Sequence, residues 1–519
     1  MGWDYQKSLD RIQKHLDGMG EIEIEDLVRE ADLNNLLSET KCRGVTGAHV
    51  YTYVANFPRM ASAYADDEAE YKRFLQAVHL YQREVSRIVE DVDKFDGLRI
   101  QFQGPKLHAL FYRPIKDTKR LSVLAFMLQL VLKDFTNKVF NPAFPFSDDF
   151  TIAGGADVGY SIGTRNGRNG DRELLFLGPC ANYAAKIISS AGRLRITSEL
   201  YNALPKDLQE ICSEVADDVY QIDSIAQTAF DELLVEHSIR WDRQASEERI
   251  AEDKRLFPLK DIEYSSANTL IDMDALSIRN NKKVKAASIF GDIAGFTAYI
   301  NGAATDEKKR EALRVLHAIR REMATVVATD HGGIRVQYQG DRVQGLFHMP
   351  KDDEKRIATD AVEAAVSLQS SMEKTVKLKL PEAADLGLAV GVDLDTTLVS
   401  KLGTRAHRDR ICLGEPVETA ADNEENCAGG MIGVSKRVYD ALPERLNKHF
   451  AYDTESRCYV ANGLTWDRVE LAARAAAYAT GAPVFIKSTG SGIDITREEV
   501  TGARPTRPSS SWATPDNEN

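Results

Sequence analysis

The chain has 519 residues, 43% hydrophobic and 28% charged, which is the balance of a water-soluble globular protein. At about 100–200 residues per domain, that length gives two to four domains. The net charge of −13 and the absence of any apolar run near the ~20 residues that cross a bilayer argue against nucleic acid or a membrane as partner.

Six scattered cysteines form no Cys-x-x-Cys pair, so no zinc site or disulfide framework is expected, and a cytoplasmic location fits. The opening MGWDYQKSLDRIQKHL is amphipathic and charged, without a signal-peptide core. Residues 1–40 read as a helical segment, with DLVREADLNNLL as its amphipathic stretch. Residues 41–225 read as a first domain: a strand at 48–53, a helix at 74–92, a hairpin pivoting on Gly104, a helix at 121–139, and two strands flanking a helix that starts after Gly178. A charged connector, 226–280, leads to a second domain, 281–487, and 488–519 is a tail of disordered composition.

The second domain repeats the first. RIQFQGPKLHALF (99–111) answers RVQYQGDRVQGLF (335–347), LGPCANYAA (177–185) answers LGEPVETAA (413–421), and ITSELYNALP (196–205) answers VSKRVYDALP (434–443). Collinear matches at near-constant spacing mark a duplicated domain. The order of elements predicts an α+β fold in each copy, a mixed, largely antiparallel sheet covered by helices.

The copies differ where chemistry would lie. In AASIFGDIAGFTAYI (286–300) an apolar strand runs into Asp292, followed by a Gly turn and a helix start at Phe296 and Thr297. Such a place can hold a divalent cation and a polyphosphate, or the Asp can simply cap the helix. Asp292 aligns with Tyr53, and Asp341, after the hairpin Gly340, aligns with Pro105, so only the second copy has both carboxylates. Conversely, Asn182 and Lys186 of the first copy align with Glu418 and Asp422 of the second. Four residues apart, an amide and a cation share one helix face, where an acidic pair would repel a phosphate.

GDIAGFT, the hairpin QGD, the gap from Asp393 to LGTR, and LGEPVETAA resemble the catalytic domain of class III nucleotidyl cyclases, over about residues 46–215 and 284–450. The resemblance implies two domains paired head to tail as an intrachain pseudo-dimer, with one active and one degenerate site. Asp292, Asp341 and the Ile293 carbonyl would bind two divalent cations, Mn²⁺ or Mg²⁺, and the backbone of Ala294, Gly295, Phe296 and Thr297 would surround a triphosphate. Asn182 would position the ribose. Lys186 stands where the family has Arg, keeping the charge but not the bidentate fork. The chemistry implied is attack of a nucleoside triphosphate's 3′-hydroxyl on its own α-phosphorus.

The family's base-reading positions are taken here as Arg99 and Leu175, which match neither purine set. A donor-only Arg suits the carbonyls of uracil, or O2 and N3 of cytosine, and Tyr53 could fill the space a smaller ring leaves. Arg335 duplicates Arg99 in the other copy, so a plain ion pair is the competing reading. The combination resembles the bacterial pyrimidine cyclases of antiphage (Pycsar) defence. That resemblance implies cUMP, or else cCMP, made as a second messenger for a separate effector protein. An adenylyl or guanylyl cyclase with unusual base contacts and a catalytically dead nucleotide-binding regulator are the alternatives.

Overall fold

The computed structural model describes residues 2–166, 173–404 and 407–470, with two further short strands, Lys487–Thr489 and Gly492–Asp494, paired as a hairpin. The rest of the tail expected to be disordered lies outside the described residues.

Two nine-stranded sheets of one topology organise the chain. The first runs Leu98–Gln103, Lys106–Phe111, Lys41–Val54, Ile152–Asn166, Leu194–Thr197, Val219–Ile222, Cys212–Ala216. The second repeats it as Ile334–Gln339, Arg342–Phe347, Asn281–Ala294, Gly387–Thr404, Met431–Val434, Cys458–Asn462, Ala451–Asp453. Along these paths pairing is antiparallel except at one central step in each sheet, Ile152–Asn166 with Leu194–Thr197 and Gly387–Thr404 with Met431–Val434. This is the expected mixed, largely antiparallel α+β architecture.

Apolar residues recur at helical spacing in Glu68–Glu90 and Asp306–Thr325, and their buried faces cover the sheets. Thr118–Asp134 and Glu354–Ser371 are buried almost all round and form the inner layer. On each sheet a glycine admits the helix that carries the residues of interest. A β-carbon at Gly155 would stand 2.1 Å from the Ala184 carbonyl oxygen, and one at Gly391 would stand 2.1 Å from that of Ala420.

The halves interlock reciprocally. Ile162, Leu175 and Leu177 of the first join the core of the second, while Leu398, Leu402, Ile411 and Leu413 of the second join the core of the first. His79 accepts the Gly403 N–H at 3.3 Å, and its counterpart His317 bonds Thr164 at 3.2 Å. Both imidazoles are buried and held neutral by burial, at about 3.

The N-terminal segment and the connector both pack on the domains. Helix Tyr5–Gly18 docks on the second domain: Ser8 donates to Glu322 at 2.7 Å, and Arg11 binds Glu322 at 2.6 Å and Asp330 at 2.9 Å. The charged connector is helical and packs on the first domain. Its helix Arg243–Leu256 places Ser246 at 2.7 Å and Arg249 at 2.6 Å from Glu84, and Arg83 and Arg87 hold its Asp253. The two helices are themselves copies, WDYQKSLDRI (3–12) and WDRQASEERI (241–250), so the duplication begins well before residue 46. Each copy's leading helix packs on the other copy's sheet domain.

DLVREADLNNLL does not form the expected helix. Glu23–Asp26 is a strand parallel to Lys41–Gly44, and only Leu33–Leu36 makes a turn of helix. Leu27, Leu33 and Leu37 bury against Val45, Leu98, Ile100 and Tyr112, so the apolar spacing is satisfied by an extended crossing of the sheet.

Candidate active site

Asp292 sits where two ladders part. Pairing of its strand with Arg342–Phe347 ends at Gly291–Val343, whereas pairing with Gly387–Thr404 continues through Ala294–Gly387. One edge of residues 292–294 is therefore open towards the hairpin turn, where Gly340, at φ +71°, reverses the chain into Asp341. Gly295 takes φ +87°, and helix Phe296–Asn301 starts directly after it without a side-chain cap, so Asp292 is not the capping residue. Phe296 is a core side chain; Ala294 and Thr297 are half-buried and Gly295 is exposed.

Both carboxyls are half-buried and lie within electrostatic reach of one another. Burial raises the Asp292 carboxyl, opposed by Arg342 and by the Ile293 N–H that donates to it. Asp341 is pushed well above the ordinary range, first by burial and then by the Asp292 charge. The neighbouring cation Arg342 is committed to Glu424 at 2.9 Å and Glu425 at 3.4 Å. Two converging hard carboxylates that destabilise each other, beside an open strand edge with backbone carbonyls, form a donor set suited to divalent cations.

The first domain closes this region. Helix Phe296–Asn301, which follows Asp292 and its turn, packs on helix Pro179–Lys186 of the first domain, where Asn182 is half-buried and Lys186 exposed. Behind them, burial and then electrostatic interactions with Cys180 and Asp341 hold the Tyr51 phenol above its usual range, so Tyr51 faces the same region across the domain boundary. Its ring stacks on His108 at 4.0 Å, and His108 is bonded to His49 at 3.0 Å.

The other expected contacts lie elsewhere. Tyr53 faces the opposite cleft: burial and then Glu418, Asp422 and Glu425 raise its phenol. Head-to-tail pairing directs this strand end to the second domain's acidic helix, Glu415–Glu425, and away from Asn182. In that cleft Glu418 is pushed up to about 7 by burial and by Asp422. Arg99 is buried in an interdomain pair with Asp409 at 2.5 Å, and Asp409 also accepts the Phe102 N–H at 3.3 Å. Leu175 is part of the interdomain core rather than the wall of an open pocket. Arg99 and Leu175 thus take part in the pairing of the halves, and Tyr53 faces the acidic cleft.

Sequence reasoning did not single out Tyr51, Arg342 with Glu424, or Glu173. For Glu173 a signal existed. Arg99 and Arg335 are equivalent in the two copies, and so are Asp409 and Glu173, which is the pattern of a reciprocal ion pair.

Residues 278–470 match the adenylate and guanylate cyclase catalytic domain. A solved class III adenylyl cyclase-like ATP-binding protein from Pseudomonas aeruginosa superposes with a TM-score of 0.78 at 25% identity, covering 91% of this chain and 100% of that one. A uridylate cyclase of Pseudomonas aeruginosa is 29% identical over 97% of this chain and 99% of its own length. A second, from a Rhizobium species, is 25% identical over 78% and 80%. The second half of the chain thus matches a cyclase catalytic domain, and the whole-chain matches are to nucleotidyl cyclases and a class III cyclase-like protein, which supports a nucleotidyl cyclase activity; class III cyclases work with divalent metal ions. No helix among the described residues is long and apolar enough to cross a membrane.

Proposed function

We propose that the protein is a uridylate cyclase that converts UTP to 3′,5′-cUMP and pyrophosphate at one composite site, the intrachain pairing of its domains forming the catalytic pseudo-dimer. The observation that carries this reading is the packing of the helix after Asp292 on the helix bearing Asn182 and Lys186. This packing supports a site shared between the carboxylate pair of one copy and the amide and cation of the other. The choice of uracil is supported by the similarity to two uridylate cyclases over most of the chain.

Asp292, Asp341 and the Ile293 carbonyl would hold two divalent cations, Mn²⁺ or Mg²⁺, which supply Lewis acidity to the phosphates and the reacting hydroxyl. The backbone of Ala294, Gly295, Phe296 and Thr297 borders the triphosphate. The Asn182 amide orients the ribose so that its 3′-oxygen faces the α-phosphorus. As the new O3′–P bond forms and the bond to pyrophosphate breaks, the Lys186 ammonium neutralises charge growing on the α-phosphoryl oxygens. Lys186 offers a point charge where a guanidinium would offer a fork, which places more of the orientation on Asn182. The product would serve as a cytoplasmic second messenger read by a separate effector in antiphage defence.

The test is an equimolar mixture of ATP, GTP, CTP and UTP with Mn²⁺, its products identified by mass spectrometry. cUMP as the main cyclic product is the expected result. A purine or cytidine product would overturn the base assignment, and no cyclic nucleotide from any substrate would overturn the cyclase reading.

A further inference from the structure

Two interdomain latches of the same design join the halves, and only one adjoins the carboxylate pair. On the first, Glu173 accepts Arg335 at 2.8 Å and the Tyr338 backbone N–H at 3.1 Å, with Arg320 at 3.5 Å. On the second, Asp409 accepts Arg99 at 2.5 Å and the Phe102 N–H at 3.3 Å. What each latch holds differs. Arg335 and Tyr338 lie on strand Ile334–Gln339, which runs straight into Gly340 and Asp341. Arg99 and Phe102 lie on Leu98–Gln103, which runs into Gly104 and Pro105, with no carboxylate to place.

Glu173 also begins strand Glu173–Leu177, which passes through Gly178 into the helix of Asn182 and Lys186. A single carboxylate therefore ties the strand leading into Asp341 to the strand leading into Asn182. At about 3.3 Å per extended residue, the Tyr338 anchor is some 10 Å of chain from Asp341, too short a span to absorb much slack. The charge arrangement is specific to this side as well. Arg320 is fully buried, its guanidinium 4.0 Å over the Tyr338 ring, and it acts on Asp341. The first copy has neutral Gln82 there, bonded to the Gly104 carbonyl.

We infer that Glu173 is a positioning residue for the metal-binding carboxylates. It fixes the hairpin carrying Asp341 against the first domain, and it offsets the positive charge of Arg320 and Arg335 that would otherwise oppose a cation at Asp341. The inference rests on the assignment of Asp292 and Asp341 as metal ligands. Glu173 itself contacts Arg335, Arg320 and the Tyr338 N–H. Its loss acts through Asp341, by letting the hairpin drift and by leaving guanidinium charge uncompensated in a low-dielectric setting.

The test measures Mn²⁺ binding by calorimetry on nucleotide-free full-length protein, with kcat alongside. Glu173→Gln should raise the Mn²⁺ Kd about tenfold or more and lower kcat, and Glu173→Asp, which restores the charge, should recover part of both. Asp409→Asn removes the mirror-image latch and serves as the control for general loosening of the interface, so it should leave the Mn²⁺ Kd within about twofold. Wild-type Mn²⁺ affinity in Glu173→Gln, or an equal loss in Asp409→Asn, overturns the inference. Should Glu173→Gln fail to fold, Glu173→Asp against Asp409→Glu makes the same comparison. The underlying metal assignment is checked separately by Asp341→Ala: if that variant binds Mn²⁺ as the wild type does, the assignment fails whatever Glu173 does.

Discussion

Replacing Glu424 by Gln should remove a pH dependence of stability that burial builds into the second domain. Glu424 is 4% exposed, and burial pushes its carboxyl up to about 8 despite the attraction of Arg342 at 2.9 Å, with Asp292 adding repulsion. A carboxyl whose folded pKa lies above its ordinary 4.5 holds its proton more tightly in the folded than in the unfolded chain. Its stabilising contribution is fully present below about pH 4.5 and is lost as the pH rises through about 8. At 1.36 kcal/mol per unit, the part lost between pH 7 and 8.5 comes to about 1.3 kcal/mol. The buried histidines His49, His79 and His317, lowered to about 3, act with the opposite sign, losing stability as the pH falls below about 6.5, so they do not mask this window. The assay is urea unfolding of metal-free protein at pH 7 and 8.5. Wild type should weaken over that interval by about 1 kcal/mol more than Glu424→Gln. Parallel pH dependences in the two proteins would refute the view that Glu424 is buried with too little compensation.

Asn182→Ala and Lys186→Ala should each cost about a hundredfold or more in kcat, whereas Glu418→Ala and Asp422→Ala, in the opposite cleft, should leave cyclase turnover near wild type; equal losses in both sets would contradict a single live site. Gly155→Ala should drive a β-carbon into the Ala184 carbonyl, 2.1 Å away, and push the Asn182 helix off its sheet. A displacement of about 1 Å there should lower kcat by about a hundredfold, and the mirror change Gly391→Ala should affect stability more than turnover, as kinetics and thermal melts of the two variants would show. Arg11→Ala strands Glu322 and Asp330, which are 4% and 9% exposed, and should weaken docking of Tyr5–Gly18 by about 3 kcal/mol. Faster hydrogen exchange confined to that helix is the expected signature, and unchanged exchange would mean that the ion pairs contribute little.

Much of the candidate site was legible in the chain because a duplicated sequence is its own control. Asp292 opposite Tyr53 and Asp341 opposite Pro105, with Asn182 and Lys186 opposite Glu418 and Asp422, separate the two copies by residue type alone. Strand and helix order followed from apolar periodicity, and the hairpin turns from Gly104 and Gly340, which take positive φ as tight reversals require. The segment at 26–37 misleads because leucines at helical spacing can equally cover a sheet in an extended crossing, and spacing alone does not say which surface they meet. The docking of the charged connector is not legible in the chain, because its charges count as solvated until Glu84 and Asp253 are seen buried against Arg249, Arg83 and Arg87.

By itself the sequence determined that two related domains exist, that one keeps a carboxylate pair and the other an Asn/Lys pair, and that equivalent Arg and acid positions recur in both. Only the tertiary structure decided which acid each arginine meets, that Arg99 is engaged with Asp409, that Tyr53 faces the acidic cleft, and that each copy's leading helix docks on the other copy's domain. The reason is physical. Residue type and periodicity encode what a side chain offers along its own strand or helix, whereas the partner of a charge is set by how two folded surfaces approach, and that approach brings together residues that are hundreds of positions apart in the chain.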